Sequence, residues 1–143
     1  MSQTQMSKTG SCLCGAVKYQ VDGPVKQVVG CHCTACRKQT GHFLATTDAW
    51  NDHFKLTEQR GLKWYRSSDH SRRGFCAECG SVLFFATDGA EKISITAGTL
   101  DGATGLNLVA HIFVDDKGDY YDLEESTPHH PQGGDTVPMP PKD

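Results

Sequence analysis

The sequence predicts a mainly β protein folded as one domain. Three observations carry that expectation. Short runs alternate apolar and polar residues with a period of two, clusters of Gly, Asp and Pro separate those runs, and only one segment has helical character. The 143 residues match the size of a single domain, but Leu, Ile, Val and Phe supply only 27 of them. Something besides apolar burial has to hold so thin a core together.

In chain order, the polar residues 1–7 are expected to be flexible and lack the apolar stretch of a secretory signal. Val17, Tyr19 and Val21 alternate with Lys18 and Gln20, which reads as a half-buried strand, and Asp22-Gly23-Pro24 turns the chain. Further strands are expected at Val25–Val29, His42–Thr47, Leu62–Arg66 and Val82–Ala86, with one helix of at most two turns near Thr34–Thr40. Ile93, Ile95 and Ala97 alternate with Ser94 and Thr96 in another strand. Leu108–Val114 and Tyr120–Leu123 read as a hairpin closed by the Asp115-Asp116-Lys117-Gly118-Asp119 turn. The tail from Ser126 to Asp143 holds five of the six prolines and few large apolar residues, so it is expected to be mobile or draped loosely over the domain.

Composition excludes several function classes. No apolar run approaches the ~20 residues of a membrane helix, so no membrane association is expected. The net charge is −3 and there is no long basic block, which argues against a nucleic-acid binder. The short pairs Arg37-Lys38 and Arg72-Arg73 read as solvated surface.

The seven cysteines carry the chemistry. They fall into three groups, Cys12-x-Cys14, Cys31-x-Cys33-x-x-Cys36 and Cys76-x-x-Cys79, and glycine follows two of the groups as Gly15 and Gly80. Residues two apart in extended chain, or three apart around a knuckle, can turn their sulfurs toward one metal ion. An odd count cannot pair off entirely in disulfides, and a reducing, cytoplasmic setting favours metal or redox roles for clustered thiols. Four cysteines would make a closed structural zinc site and three an open catalytic one. Spacing alone leaves that partition unsettled, because Cys33, Cys36, Cys76 and Cys79 could also form a ribbon-like site. A thioredoxin-like dithiol needs a βαβ context that this strand-rich pattern lacks.

At this point the residues resemble a known family. Gly10-Ser-Cys12-Leu-Cys14-Gly15, Cys31-His-Cys33-Thr-Ala-Cys36-Arg37-Lys-Gln-Thr-Gly41, Phe75-Cys76-Ala-Glu-Cys79-Gly80, Ala97-Gly98-Thr-Leu-Asp101 and His111-Ile-Phe-Val114 are similar, in order, to the glutathione-dependent formaldehyde-activating enzymes, also called the centromere protein V-like family. The resemblance covers residues 8–125. It implies an Mss4-like assembly of small, bent antiparallel sheets with zinc clips. It also implies two zinc ions, a structural one on Cys12, Cys14, Cys76 and Cys79 and a catalytic one on Cys31, Cys33 and Cys36, and the three negative charges against two at the second set make that ion the easier to lose. The implied activity is that of a carbon–sulfur lyase acting on glutathione or another small-thiol adduct, with formaldehyde as the named carbonyl partner. A zinc-stapled binding module without catalysis is the alternative that the fold allows.

Arg37 and Asp101 are the candidate substrate contacts; a surface arginine and a plain turn residue are their ordinary readings. His32 lies between two cysteines of one group and is expected to point away from the metal, with His42 and His111 as structural histidines. The family commonly carries a Trp after Val114, where this chain has Tyr120 and Tyr121.

Overall fold

The computed structural model describes residues 7–133 and 137–142. Within them the chain forms β1 (Lys8–Ser11), β2 (Lys18–Val21), β3 (Val28–Cys31), α1 (Thr34–Thr40), β4 (Leu44–Trp50), β5 (Phe54–Glu58), β6 (Leu62–Arg66), β7 (Ser71–Cys76), β8 (Val82–Thr87), β9 (Lys92–Thr96) and β10 (Leu108–Ile112). Strands β1, β2 and β5 make a small sheet, and the other seven follow the order β10-β3-β4-β9-β8-β7-β6. The mainly β class and the single short helix agree with the sequence reading. Every pairing between these strands is antiparallel except that of β10 with β3.

The period of two explains how the larger sheet is used. Successive side chains of a strand point to opposite faces, so Ile93 and Ile95 of β9, Phe84 of β8 and Ala49 of β4 join Val17, Tyr19 and Val21 of the N-terminal segment in one buried cluster. The intervening residues on the same strands, Lys92 and Ser94, Phe85 and Thr87, Thr46 and Asp48, line a cavity. One face therefore builds the core and the other builds the site. In the core, the Tyr19 ring meets Phe84 edge-on at 5.5 Å, and its hydroxyl hydrogen-bonds Thr99 Oγ1 at 2.7 Å.

Gly10 lets β1 lie directly over that tyrosine. A Cβ there would stand 2.2 Å from Tyr19 Oη and 2.6 Å from the backbone oxygen of Thr99. Tyr19 is 1% exposed and has nowhere to move. Gly10→Ala is expected to lower the unfolding free energy by about 1–3 kcal/mol, read as a fall in the urea midpoint at unchanged slope.

Several elements differ from expectation. The segment 25–29 becomes a strand only from Val28, with Val25 making an isolated bridge to Ala49. Strand β4 runs on to Trp50, past the expected end at Thr47. The hairpin after Leu108 does not form, and Tyr120–Leu123 is not a strand. Phe113 takes a left-handed conformation (φ 55°), a 3-10 turn follows at Val114–Asp116, and Tyr121 turns inward onto the rings of His32 and His42. The outer edge of β10 is met instead by the tail: the His111 N–H donates to the Pro128 carbonyl and the His130 N–H to the His111 carbonyl, both at 2.9 Å. Further on, Trp50 Nε1 donates to the Pro140 carbonyl and Lys142 pairs with Asp52. Of the segment 1–7, residues 1–6 lie outside the described residues, and Ser7 donates to Asp22. In the tail, residues 134–136 and 143 also lie outside them.

Candidate metal centres and the adjoining cavity

Two turns bring the outer cysteine pairs together. After Cys12 the chain doubles back so that the Gly15 N–H reaches the Cys12 carbonyl, and after Cys76 the Gly80 N–H reaches the Cys76 carbonyl at 2.7 Å. Gly15 and Gly80 hold φ of 86° and 82°, a region that costs residues with a Cβ and suits glycine. Ser81 links the two knuckles by accepting from the Leu13 N–H at 2.9 Å and contacting Cys79 Sγ at 3.2 Å. That contact holds the Cys79 thiol down to about 5. The four sulfurs of Cys12, Cys14, Cys76 and Cys79 lie within 4.8 Å of one another. Cys12 to Cys14 and Cys14 to Cys76 are each 3.8 Å, the edge of a tetrahedron with centre-to-corner distances of about 2.3 Å. Four sulfurs at that spacing fit a tetrahedral metal ion.

The second group is built where β3 hands over to α1. Cys31 ends the strand, Cys33 caps the helix by accepting the Cys36 N–H on its sulfur at 3.3 Å, and Cys36 lies one turn on. Gly41, with φ 83°, closes the helix. The sulfurs of Cys31, Cys33 and Cys36 also lie within 4.8 Å of one another. Three thiols so crowded compete for their protons: Cys31 and Cys36 hold Cys33 down to about 2, while Cys31 itself is pushed up by Cys33 and Cys36. A cation among them removes that conflict, so this group too can hold a metal ion.

The two groups differ in what surrounds them. Cys31, Cys33 and Cys36 line a cavity of 580 Å³, and none of the other four cysteines does. That volume lies within the ~300–1,000 Å³ common for small-molecule sites. Serines Ser67, Ser68 and Ser71 line one wall. At another wall Lys26 and Lys92 share the buried carboxylate of Asp48 at 3.0 and 3.6 Å, and Ser94 donates to its other oxygen at 2.6 Å.

Arg73, read from sequence as solvated surface, is 8% exposed and lines this cavity. Its Nη1 donates to Cys36 Sγ at 3.4 Å and to Gln39 Oε1 at 3.0 Å. Burial works against its charge, and the sulfurs of Cys36, Cys33 and Cys31 together more than offset that, so its pKa lies above the ordinary value. Arg72, its neighbour, does lie outside, over the Trp64 ring.

The histidines stand behind the cysteine loop. His32 is fully buried, with Nε2 2.9 Å from His111 Nδ1 and Nδ1 2.6 Å from the Tyr121 hydroxyl, and His111 Nε2 meets Glu124 at 2.8 Å. Burial and the nearby His111 push His32 down to about 4. The chain pins the loop that carries Cys31 and Cys33 to the segment after β10. Neither Arg37 nor Asp101 lines the cavity: Arg37 sits on α1 with a buried Nε that has no partner, and Asp101 accepts from Thr9 Oγ1 at 2.7 Å near β1. Tyr120 and Tyr121 do not line it either; Tyr120 donates to the Gly41 carbonyl.

Residues 7–116, which include all three cysteine groups, match the family model for the glutathione-dependent formaldehyde-activating enzyme. The chain belongs to that family. An uncharacterized lyase of Schizosaccharomyces pombe is 31% identical over 120 residues, covering 82% of this chain and 86% of that protein. A crystal structure of a Rhodobacter sphaeroides protein aligns with a TM-score of 0.55 at 23% identity, over 68% of this chain and 91% of that one, a likeness of fold. Within this formaldehyde-activating-enzyme fold, sequence reasoning missed Arg73, Asp48 and the serine wall. The available signal was period two: Ser71 and Arg73, or Thr46 and Asp48, are alternate residues on one strand and therefore share a face.

Proposed function

We propose that the chain is a zinc-dependent lyase that makes or breaks the carbon–sulfur bond of a small-thiol adduct, with glutathione as the thiol and formaldehyde as the carbonyl compound. In this reading Cys12, Cys14, Cys76 and Cys79 hold a structural zinc, and Cys31, Cys33 and Cys36 hold a catalytic zinc. The observation that carries it is the opening of the three-sulfur group, and not the four-sulfur group, onto the cavity. A set of three protein ligands leaves room for a fourth from solvent or substrate. When bound, the zinc lowers the pKa of a thiol and polarises a carbonyl oxygen.

The chain's own residues bind and orient the reactants. Ser67, Ser68 and Ser71 offer hydroxyls to a peptide-like ligand, and Phe85, Leu44 and Phe113 give the cavity apolar surface. In the direction of adduct formation, sulfur joins the carbonyl carbon, the C=O becomes C–OH and the thiol proton ends on that oxygen. Nothing is oxidised or reduced. Seven free thiols suit a reducing compartment such as the cytoplasm. No helix among the described residues is long and apolar enough to cross a membrane.

Exchange NMR on a mixture of glutathione and formaldehyde tests the reading. The zinc-loaded protein is expected to broaden and average the free and adduct resonances beyond the spontaneous rate. Unchanged exchange at full zinc loading would rule out this reaction and favour the non-catalytic binding module.

A further inference from the structure

Buried cations need an anion close by. Moving a guanidinium out of water is paid back only by an opposite charge and well-made hydrogen bonds. Arg73 is 8% exposed, yet among the described residues it makes no ion pair with a carboxylate. Its hydrogen bonds go to Cys36 Sγ and Gln39 Oε1, its guanidinium lies 5.1 Å from the centre of the Phe85 ring, and its Nε is buried with no partner. The nearest source of negative charge is the three-cysteine group itself.

We propose that Arg73 is a positioning residue that supplies the counter-charge of the Cys31–Cys33–Cys36 group, keeping its metal bound and allowing a substrate thiolate to join as a further anion. The proposal rests on the reading of that group as a metal site. Three thiolates and a dication carry a net charge of −1, and the guanidinium brings the sum to zero. A fourth thiolate then lowers it to −1 rather than −2. In a cavity wall of low dielectric that difference weighs far more than it would in water.

Placement supports this role over that of a general surface cation. Arg73 is fixed from three sides: β7 carries its backbone, Gln39 of α1 holds Nη1 and Phe85 of β8 covers the guanidinium face. Gln39 sits one turn after Cys36 on α1, so the helix that positions the sulfur also aims the arginine at it. A lysine at this position would keep the charge but lose the flat guanidinium that lies over Phe85 and aims Nη1 at both Gln39 and Cys36.

The test compares wild type, Arg73→Met, Arg73→Lys and Gln39→Leu, each loaded with zinc, by timing zinc transfer to a chromophoric chelator. Each is then loaded with cobalt(II) and titrated with glutathione while the thiolate-to-cobalt absorption is followed. In Arg73→Met one of two zinc ions is expected to leave about 10-fold faster, and half-saturation by glutathione to rise about 10-fold. The other ion is unchanged, and Arg73→Lys recovers part of both effects. If Arg73→Met does not retain its slowly released ion and fails to fold, Gln39→Leu decides, with a smaller shift in the same direction. Wild-type release and wild-type glutathione binding in the folded variant would overturn the role of Arg73 alone. A wild-type chain that binds a single ion would overturn the underlying two-metal reading and this proposal with it.

Discussion

Cys79→Ser is expected to abolish cooperative unfolding near room temperature. The side chain is only partly buried and its sulfur contacts the Ser81 hydroxyl. At such a position an idle thiol would tolerate the change within roughly 0.5 kcal/mol. The large effect is expected because the hydroxyl is a poor ligand and the site then keeps three of its four thiolates. A structural zinc site contributes about 10–16 kcal/mol of apparent binding energy, comparable with the whole 5–15 kcal/mol stability of an ordinary domain. The knuckles also close a long loop, joining residues 12–14 to 76–79 beside a thin core. Circular dichroism of the purified variant, with and without added zinc, is the check. A wild-type melting curve would mean that this thiol holds no metal.

Cys33→Ser should behave in the opposite way, keeping the fold and losing the activity. Its sulfur does two things in the structure: it stands in the three-cysteine group, and it caps α1 by accepting the Cys36 N–H. Serine is among the best N-caps, so the second role survives the substitution. The first does not. Adduct formation from glutathione and formaldehyde is expected to fall by at least ~100-fold, since losing even an outer partner of a metal ligand removes 10–100-fold. The melting transition should stay close to that of wild type. Equal destabilisation by Cys33→Ser and Cys79→Ser would erase the distinction between the two groups.

The three cysteine groups were legible in the sequence, because short spacings and the glycines after two of the groups are local signals, whereas their division into four and three came only with the family resemblance. Gly15 and Gly80 do adopt the positive φ that a turn around a metal requires. The helix at Thr34–Thr40 was legible for the same reason. Strand β7 was not, although it carries Arg73. Its residues Ser71 and Arg73 face the cavity, so the polar side of the strand points inward and the usual apolar alternation is absent. Likewise, Asp48 lies in β4 with its carboxylate held by Lys26 from a distant part of the chain, a pairing that no local pattern announces.

The expected hairpin at 108–123 failed for a different reason. Its central residues have sound turn chemistry, but the turn is only one way to use them. Stacking Tyr121 on His32, with His42 edge-on to it, and bonding its hydroxyl to the buried His32, satisfies polar groups behind the cysteine loop that a returning strand would leave unpaired. The edge of β10 is then met by the tail through His129 and His130, residues whose composition gave no strand signal. Tertiary partners decided both outcomes.

The central claim is that one group of cysteines makes a closed four-thiolate site and the other an open three-thiolate site that receives a thiol. Native mass spectrometry of the zinc-loaded protein, with and without glutathione, tests it most directly. The account predicts two zinc ions per chain, one in Cys33→Ser, and an added mass of one glutathione that wild type gains and Cys33→Ser does not. A single zinc in both proteins, or equal glutathione binding by both, would contradict it.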